Sequence, residues 1–538
     1  MRSLRWKIIR SIKLYDISAL FAGESDDILF LHLVKLMRES YGEKLSLENL
    51  LKDEAAWENF SSACRDLPKA KLDSRVREEE DSSNEELGFR FMGQRYALDQ
   101  EIFSKLIWSK VKENREGVQR SLPKVLDVAA VFGSPVADTL LEEAGDFEFK
   151  NFTENLQDLK DKFGKSTGNA DNFAAAWLDL LRPLLADKSE TSGYYPSFMR
   201  GDKWAKRNLE CFAGSYTELK HDTILYSKQV MAEMGGMFRD KIDDRGYVQP
   251  EPEVYRALAK LNRRTLDTLE NATVIDEKSF EPINLYIDLC ERLAEISEIE
   301  LAGELPSDDD FEFIRAFGGN ISHIDFLLTN WEEVGALGAE KLPDEIVADI
   351  ASNPESNQCL EVAIGKPQNI WVIVPVDGSL RLAVGLVYDF YEFPVSFEQR
   401  MTDEDWTSIY MQKVLGHEPF GNETVEVDLS IEPLKPSWTE EYRYDPEKEG
   451  EQAPKLNTLP NWVALFSAER MSSDGSFVAS LNQGKLKLED KEGMQISIPS
   501  YISFVQDAHF LDLDQDGSEE LMLLCWKYGR FSNLRPFG

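Results

Sequence analysis

Apolar residues recur at helical spacing through most of the first two-thirds of the chain. In residues 281–302 they lie three or four positions apart, at Tyr286, Leu289, Leu293 and Ile296. Gly303 follows where such a helix would end, and Pro252 stands near the start of another helical pattern. Ser307 and Asp310 have the spacing of a capping box, and the helix after them is predicted to stop at Gly318-Gly319. The first part of the chain is therefore predicted to be mainly α-helical.

The pattern changes to short apolar runs after about residue 345. The run IWVIVPV (370–376) and the run SLRLAVGLVYDFYEF (379–393) flank Asp377-Gly378. Asp-Gly suits the positive φ angles of a tight turn, so these runs predict a β-hairpin. From Trp462 onward, apolar runs alternate with Asp-Gly and Asn-Gln-Gly turns, which indicates further β structure of the kind found in propeller blades.

These patterns predict an α+β protein with four segments. Residues 1–345 form a mainly helical domain, and residues 346–432 form an αβ segment with the hairpin. Residues 433–456, rich in Pro, Glu and Lys, are interpreted as an acidic linker. Residues 457–538 form a small, truncated β domain.

Composition and charge exclude several classes of protein. The 538 residues are 42% hydrophobic and 11% aromatic, which is enough to build cores and excludes wholesale disorder. Lys and Arg number 60 and Asp and Glu 98, so the net charge is −38, and general nucleic-acid binding is disfavoured. No stretch is apolar enough to span a membrane. The five Cys residues are isolated along the chain and are predicted to be core residues.

The sequence DLDQDGSEEL (512–521) is the sharpest local motif. Asp512, Asp514 and Asp516 alternate, Gly517 permits a sharp turn, and Glu520 adds a further carboxylate. Calcium prefers six to eight hard oxygen ligands, so the loop predicts a structural calcium site like those between the strands of FG-GAP-type blades. Leu523 occupies the last ligand position of an EF-hand, so the loop is not one. The alternative is an acidic turn without an ion.

A polar stretch at residues 216–229 carries the densest set of reactive side chains. On a helix Glu218 and Asp222 share one face with His221 at its edge, as a general acid or base beside a histidine would require. Candidate binding residues surround them along the chain: Arg200, Trp204, Tyr226, Lys228, Gln229, Glu251 and Glu253. The alternative is a hydrogen-bonded network that holds one helix among its neighbours.

Several strings together resemble a known family. They are RFMGQRY (90–96), LPKVLDVAAVFGS (122–134), PSFMRGDKW (196–204), ELKHDTILYSKQ (218–229), GYVQPEPEVY (246–255), LAGELPSDDDFEFIRAFGG (301–319) and GLVYDFYEFP (385–394). In order and density they are similar to the bacterial and archaeal family called domain of unknown function 3160, from about residue 14 to about residue 415. The resemblance implies an exported or cell-envelope protein and no known activity. Family members usually carry a further N-terminal section, so we expect a fragment, a mispredicted start, or both.

Two functions follow as hypotheses, and the sequence does not decide whether the protein is an enzyme. The first is a non-enzymatic module that binds a glycan, a peptide or a protein and is stiffened by calcium. The second is a hydrolase, acting on polysaccharide, that uses Glu218, His221 or Asp222 as acid or base. Side-chain geometry discriminates between them, because catalysis needs these groups to line an open cleft together with a third carboxylate such as Glu251.

Overall fold

The fold is α+β, as the apolar pattern predicts. The computed structural model describes residues 17, 20–21, 28, 30–42, 50, 52–67, 96–166, 172–189, 193–223, 245–272, 277–328, 345–377, 379–416, 431, 433–443, 467–471, 477–482, 485–490, 495–496, 505–511, 520–527 and 530–537. Helices dominate up to Leu328, and strands dominate from Ile346 onward. None of the helices in these ranges is both long and apolar enough to cross a bilayer.

Thirteen α-helices lie in the described ranges. They are α1 (Phe30–Tyr41), α2 (Glu54–Arg65), α3 (Leu98–Lys105), α4 (Val125–Val131), α5 (Pro135–Glu143), α6 (Phe152–Phe163), α7 (Phe173–Leu180), α8 (Asp202–Thr223), α9 (Pro252–Ala272), α10 (Glu277–Leu301), α11 (Asp308–Leu328), α12 (Asp403–Ile409) and α13 (Ser437–Glu440). A single π-helical turn, Tyr410–Val414, continues α12.

The predicted helix boundaries are confirmed where local signals set them. Pro252 is the first residue of α9, where its missing N–H costs nothing. Gly303 follows α10 with a φ of 72°, the left-handed conformation that favours glycine after a helix. Before α11, the Ser307 backbone N–H donates to Asp310 Oδ2 at 2.8 Å, and the Asp310 N–H donates to Ser307 Oγ at 3.2 Å. This is the reciprocal capping box that the spacing predicts.

The prediction that Gly318-Gly319 ends a helix is wrong. Helix α11 continues through both glycines to Leu328. Glycine lowers helix propensity by about 1 kcal/mol relative to alanine but does not break the hydrogen-bonding pattern as proline does. Packing of Phe311 and Ile324 on either side of the pair holds the helix together.

Strands β1 to β5 form two antiparallel sheets. Their bounds are β1 (Ile346–Asn353), β2 (Gln358–Ile364), β3 (Gln368–Val376), β4 (Ser379–Val387) and β5 (Phe390–Ser396). The first sheet has the order β1-β2-β5, and β3 and β4 form the predicted hairpin. Asp377 at the hairpin turn has a φ of 51°, which agrees with the expected turn chemistry.

The predicted second strand of the hairpin is split in two. The apolar run 379–393 forms β4 and then β5, which pairs with β2 instead of β3. Tyr388 and Asp389 interrupt the run, and Asp389 is fully buried. Their side chains are engaged by other elements, so the chain changes sheets at this point.

One hydrophobic core joins helices α3 to α9 to one face of the β1-β2-β5 sheet. It includes Leu141, Phe212, Tyr216, Val362 and Phe390. The opposite face of the same sheet packs on α12 through Trp406 and Ile409. The helical segment and the αβ segment therefore share a core instead of forming separate ones.

The described start of the presumed linker is packed. Trp438 in α13 is buried in the shared core, and Thr439 beside it is fully buried. Residues 433–443 thus differ from the solvated linker that their composition predicts, because they carry one large apolar anchor among many charges. Residues 444–456 lie outside the described ranges.

Seven further strands follow. They are β6 (Ser467–Met471), β7 (Phe477–Asn482), β8 (Lys485–Asp490), β9 (Gln495–Ile496), β10 (Val505–Leu511), β11 (Glu520–Lys527) and β12 (Arg530–Phe537). They pair antiparallel in the orders β6-β7-β8-β9 and β10-β11-β12, and β12 runs close to β4. The β structure predicted after Trp462 is confirmed.

Candidate functional site

Helix α8 carries most of the candidate residues, and its apolar side explains its position. Its residues at spacings of three and four face the core and are buried: Leu209, Phe212, Ala213, Tyr216 and Leu219. Polar residues of α8 lie at its exposed ends and also inside the protein, where Arg207, Glu210 and Thr217 are buried.

The structure divides the predicted site residues between two ends of α8. Arg200, Trp204 and Glu251 lie near its N-terminal end, and Glu218, His221 and Asp222 lie in its last turns. At 1.5 Å per residue, the Cα atoms of Arg207 and Glu218 are roughly 16 Å apart. Glu251 interacts with the Arg207 end, so it does not share a cleft with Glu218.

The Glu218 cluster comprises Glu218, His221, Asp222, Tyr388 and Asp403. The Tyr388 hydroxyl donates to Glu218 Oε2 at 2.9 Å. Gly214, one turn before Glu218, makes this contact possible, since a Cβ there would lie 2.3 Å from Tyr388 Cγ. The tyrosine therefore reaches Glu218 only because α8 has no side chain at position 214.

Burial raises the pKa of Glu218 to about 7. The hydrogen bond from Tyr388 lowers this pKa, and the neighbouring charge of Asp222 raises it further. A carboxyl group with such a pKa exchanges its proton near neutral pH, which is the property that general acid–base chemistry requires.

His221 bridges two carboxylates. Its Nδ1 lies 3.1 Å from Asp222 Oδ1, and its Nε2 lies 2.9 Å from Asp403 Oδ2. A neutral imidazole carries one N–H, so two carboxylate partners require the doubly protonated cation. The two hydrogen bonds accordingly raise the pKa of His221 to about 9.

The bridge ties three elements together. Asp403 opens α12, and its Oδ1 accepts a hydrogen bond of 3.1 Å from the Val347 backbone N–H in β1. The His221 cation therefore links the end of α8 to the start of α12 and, through Asp403, to β1. Both of its ring nitrogens are within hydrogen-bonding distance of a carboxylate oxygen in this arrangement.

The Arg207 cluster comprises Lys188, Arg200, Trp204, Arg207 and Glu251. Arg207 donates to Gln249 Oε1 at 2.9 Å and to the Leu386 carbonyl at 3.1 Å, and it lies 4.7 Å from the Trp204 ring centroid. Lys188 and Glu251 form a buried ion pair with an Nζ–Oε2 distance of 2.8 Å. Burial raises the pKa of Glu251, and the Lys188 charge opposes that shift.

Arg200 fixes the loop that leads into α8. Its guanidinium donates to the Gly193 carbonyl at 2.8 Å and to the Lys188 and Ser189 carbonyls at 3.2 Å. Glu253 is exposed near this cluster. Tyr226, Lys228 and Gln229 lie outside the described ranges.

A third buried network, the Asp389 cluster, comprises Glu210, Asp389, Tyr391, Tyr410 and Arg443. Tyr410 and Tyr391 donate to Asp389 Oδ2 at 2.9 and 3.1 Å, and Lys435 pairs with Oδ1 of the same carboxylate. Arg443 contacts Glu210 Oε1 at 2.6 Å. Burial raises the pKa of Glu210 to about 7. This network anchors residues 433–443 to α8.

Sequence reasoning missed Lys188, Arg207, Tyr388, Asp389 and Asp403. One signal was available, since Tyr388-Asp389 interrupts an otherwise apolar run and buried polar residues in such runs usually have partners. Asp403 carries no comparable signal, because its partner His221 is 182 residues away in sequence.

A surface pocket of about 540 Å³ lies between α9 and α10. Its lining includes Arg256, Lys260, Arg263, Arg264, Glu291 and Glu295. Arg263 pairs with Glu291 at 2.8 Å, and Arg256 pairs with Glu298. Exposed ion pairs of this kind contribute little to the stability of the fold. None of the predicted site residues lines this pocket.

The metal prediction falls mainly outside the described residues. Strand β10 ends at Leu511 and β11 begins at Glu520, and these two residues are cross-strand partners. Residues 512–519, which carry Asp512, Asp514 and Asp516, connect the two strands and are not described. Within the described part of the chain, no group of three or more His, Cys, Asp or Glu side chains is arranged to hold a metal ion.

Comparison with known proteins gives one result. The family model described as Protein of unknown function (DUF3160) matches residues 7–419, which is more than half of the chain. No curated protein and no solved structure gives a significant match.

Proposed function

The chain belongs to the family described as Protein of unknown function (DUF3160), and we propose that it is a non-catalytic binding module. Its polar clusters along α8 form a scaffold, and a separate surface contacts the ligand. The observation that carries this proposal is the pairing of the His221 cation with Asp222 and Asp403 at 3.1 and 2.9 Å. A histidine held in this way cross-links elements and does not act as a base.

The separation of the carboxylates supports the same proposal. Glu218 is engaged by Tyr388, and Glu251 is paired with Lys188 at the other end of α8. Glycoside hydrolysis needs two carboxyl groups about 5 to 9.5 Å apart across one bond. The two ends of α8 are too distant for Glu218 and Glu251 to work as such a pair.

A hydrolase is the second candidate, and one observation favours it. The pKa of Glu218 is raised to about 7 while Asp222, one turn later, is exposed. Glu218 would then act as general acid and Asp222 as the base that activates water.

Turnover of soluble polysaccharides by the purified protein, compared with a Glu218→Gln variant, tests the proposal. We expect no release of reducing ends that depends on Glu218. Glu253→Gln, which changes an exposed carboxylate near the other cluster, is the matched control. Release that Glu218→Gln abolishes and Glu253→Gln leaves unchanged would establish the hydrolase instead.

Two further parts of the proposal rest on the sequence. Structural calcium held by Asp512, Asp514, Asp516 and Glu520 is supported by the ligand spacing and by the strands that flank the loop. A location outside the cytoplasm or in the cell envelope is supported by the family resemblance alone. Fractionation of cells that express the tagged native gene tests the location.

A further inference from the structure

The outer face of the β3–β4 hairpin carries large apolar side chains into solvent. Trp371 is 62% exposed, Leu386 61% and Val384 54%. Trp371 and Val384 are cross-strand partners, and Leu386 pairs with the exposed Asn369. Residues two apart on a strand share a face, so these four side chains form one contiguous surface, here called the Trp371 patch.

The inner face of the hairpin accounts for its stability without the Trp371 patch. Val374 and Val376 pack on Phe311 of α11, and Arg207 of α8 donates to the Leu386 carbonyl. Burying one side chain of this size is worth about 1.5–3 kcal/mol. The three exposed side chains do not contribute this stabilisation. An apolar patch of a few hundred Å² on a monomeric protein is often functional.

The charge of the chain and of the Trp371 patch limits the kinds of ligand that this patch can bind. The Trp371 patch contains no charged side chain, whereas the chain carries a net charge of −38. A second copy of the chain or an anionic polymer is repelled at long range by that charge. The Trp371 patch itself has no charged side chain that could form an ion pair with a ligand, so an uncharged ligand fits it best.

The small area of the Trp371 patch limits the possible ligands further. A stable protein interface covers about 800 Å² on each partner, whereas three partly exposed side chains offer only a few hundred Å² of apolar surface. A narrow, extended ligand fits such a strip better than a protein does. The paired strands β3 and β4 hold these side chains in place before a ligand binds, so binding costs little additional ordering of the protein.

We propose that the Trp371 patch binds a neutral glycan chain. The indole of Trp371 stacks on the apolar face of a sugar ring, and the Asn369 amide beside it meets sugar hydroxyl groups. Val384 and Leu386 extend the apolar strip across the second strand. This inference rests on the proposed binding function and names its ligand class.

Affinity electrophoresis of the full chain through gels that contain soluble β-glucan, xylan, mannan or starch tests the inference. We expect at least one neutral glycan to retard the protein and Trp371→Ala to weaken that binding by about tenfold or more. Trp371→Tyr, which retains an aromatic ring, is expected to preserve most of the binding. Trp57→Ala, which removes another exposed tryptophan (45% exposed), is the matched control and should bind like the wild type.

The outcomes separate this inference from the proposed function. Absence of retardation by every glycan, or retardation that Trp371→Ala leaves unchanged, overturns the glycan ligand and leaves the binding module intact. Self-association that Trp371→Ala abolishes also overturns it, because a second copy would then occupy the patch. Glycan binding accompanied by Glu218-dependent cleavage keeps the ligand class and overturns the non-catalytic function.

Discussion

At the scale of single residues, Glu300 is a buried acid with one hydrogen bond. Its Oε1 accepts from the Val248 N–H at 3.1 Å, and its Oε2 has no hydrogen-bond partner among the described residues. Burial raises the pKa of Glu300 to about 8, and the bond from Val248 only partly offsets the shift. Glu300 also lies in the last turn of α10, where the helix dipole disfavours a negative charge.

The raised pKa fixes the direction of one prediction. A carboxyl group whose pKa is higher in the folded state contributes stability that is complete below its unfolded pKa and is lost as the pH rises through the folded pKa. The free energy of unfolding should therefore fall between about pH 5 and pH 8. Glu300→Gln removes the ionisation, so we expect a smaller loss of melting temperature between pH 6 and pH 9 than in the wild type.

Glu304→Gln is the control for this experiment. Glu304 is exposed four residues further along, so its substitution should leave the slope unchanged. His221, with its pKa raised to about 9, adds a loss in the same direction in every variant. An unchanged slope in Glu300→Gln would show that Glu300 reaches solvent in the folded protein.

At the scale of elements, α11 shows how a helix tolerates two consecutive glycines. Gly318 and Gly319 are exposed, and a Cβ added at either would have no atom within 4 Å. Gly318→Ala should therefore raise the free energy of unfolding by about 0.5–1 kcal/mol, because alanine has the higher helix propensity. Thermal and denaturant unfolding measure this gain.

Gly214 in α8 gives the opposite expectation for the same substitution. Its added Cβ would lie 2.3 Å from Tyr388 Cγ, so Gly214→Ala should destabilise the protein by about 1–3 kcal/mol. A gain at Gly214, or a loss at Gly318, would contradict the packing described for these two helices.

At the scale of the whole molecule, the calcium proposal concerns the β structure after the family region. We expect the chelator EGTA to lower the melting temperature of the wild type and to leave that of Asp514→Ala unchanged, since bound ligand stabilises the folded state. Asp512 and Asp516 would share the ion with Asp514. Equal melting temperatures for wild type and variant, with and without EGTA, would exclude structural calcium.

Local signals in the sequence were sufficient to predict where many of the helices end and where the hairpin turns. Pro252, Gly303 and the Ser307–Asp310 pair set helix ends, and Asp377 set the hairpin turn. Each acts within a few residues of itself, so its effect can be inferred without knowledge of the tertiary structure. The prediction that the helix ends at Gly318-Gly319 was wrong for a different reason. Packing of residues outside the pair outweighs the low helix propensity of the two glycines.

The contacts of the candidate site could not be predicted in the same way. The pairs Glu218–Tyr388 and Lys188–Glu251 join residues 170 and 63 positions apart. Their formation depends on which helices and strands pack together, and no local pattern encodes that choice. The sequence indicated that the end of α8 was rich in reactive groups, but not that those groups bind one another.

The attachment of α8 to residues 388–443 has a consequence for synthesis of the chain on the ribosome. Glu210, Glu218 and His221 emerge early, whereas their partners Arg443, Tyr388 and Asp403 follow 233, 170 and 182 residues later. Until then Glu210 and Glu218 lack the contacts that they make with Arg443 and Tyr388 in the folded protein. The helical region therefore reaches its final packing only late in translation. A product released before residue 388 would lack Tyr388, Asp403 and Arg443, which contact α8 in the folded protein.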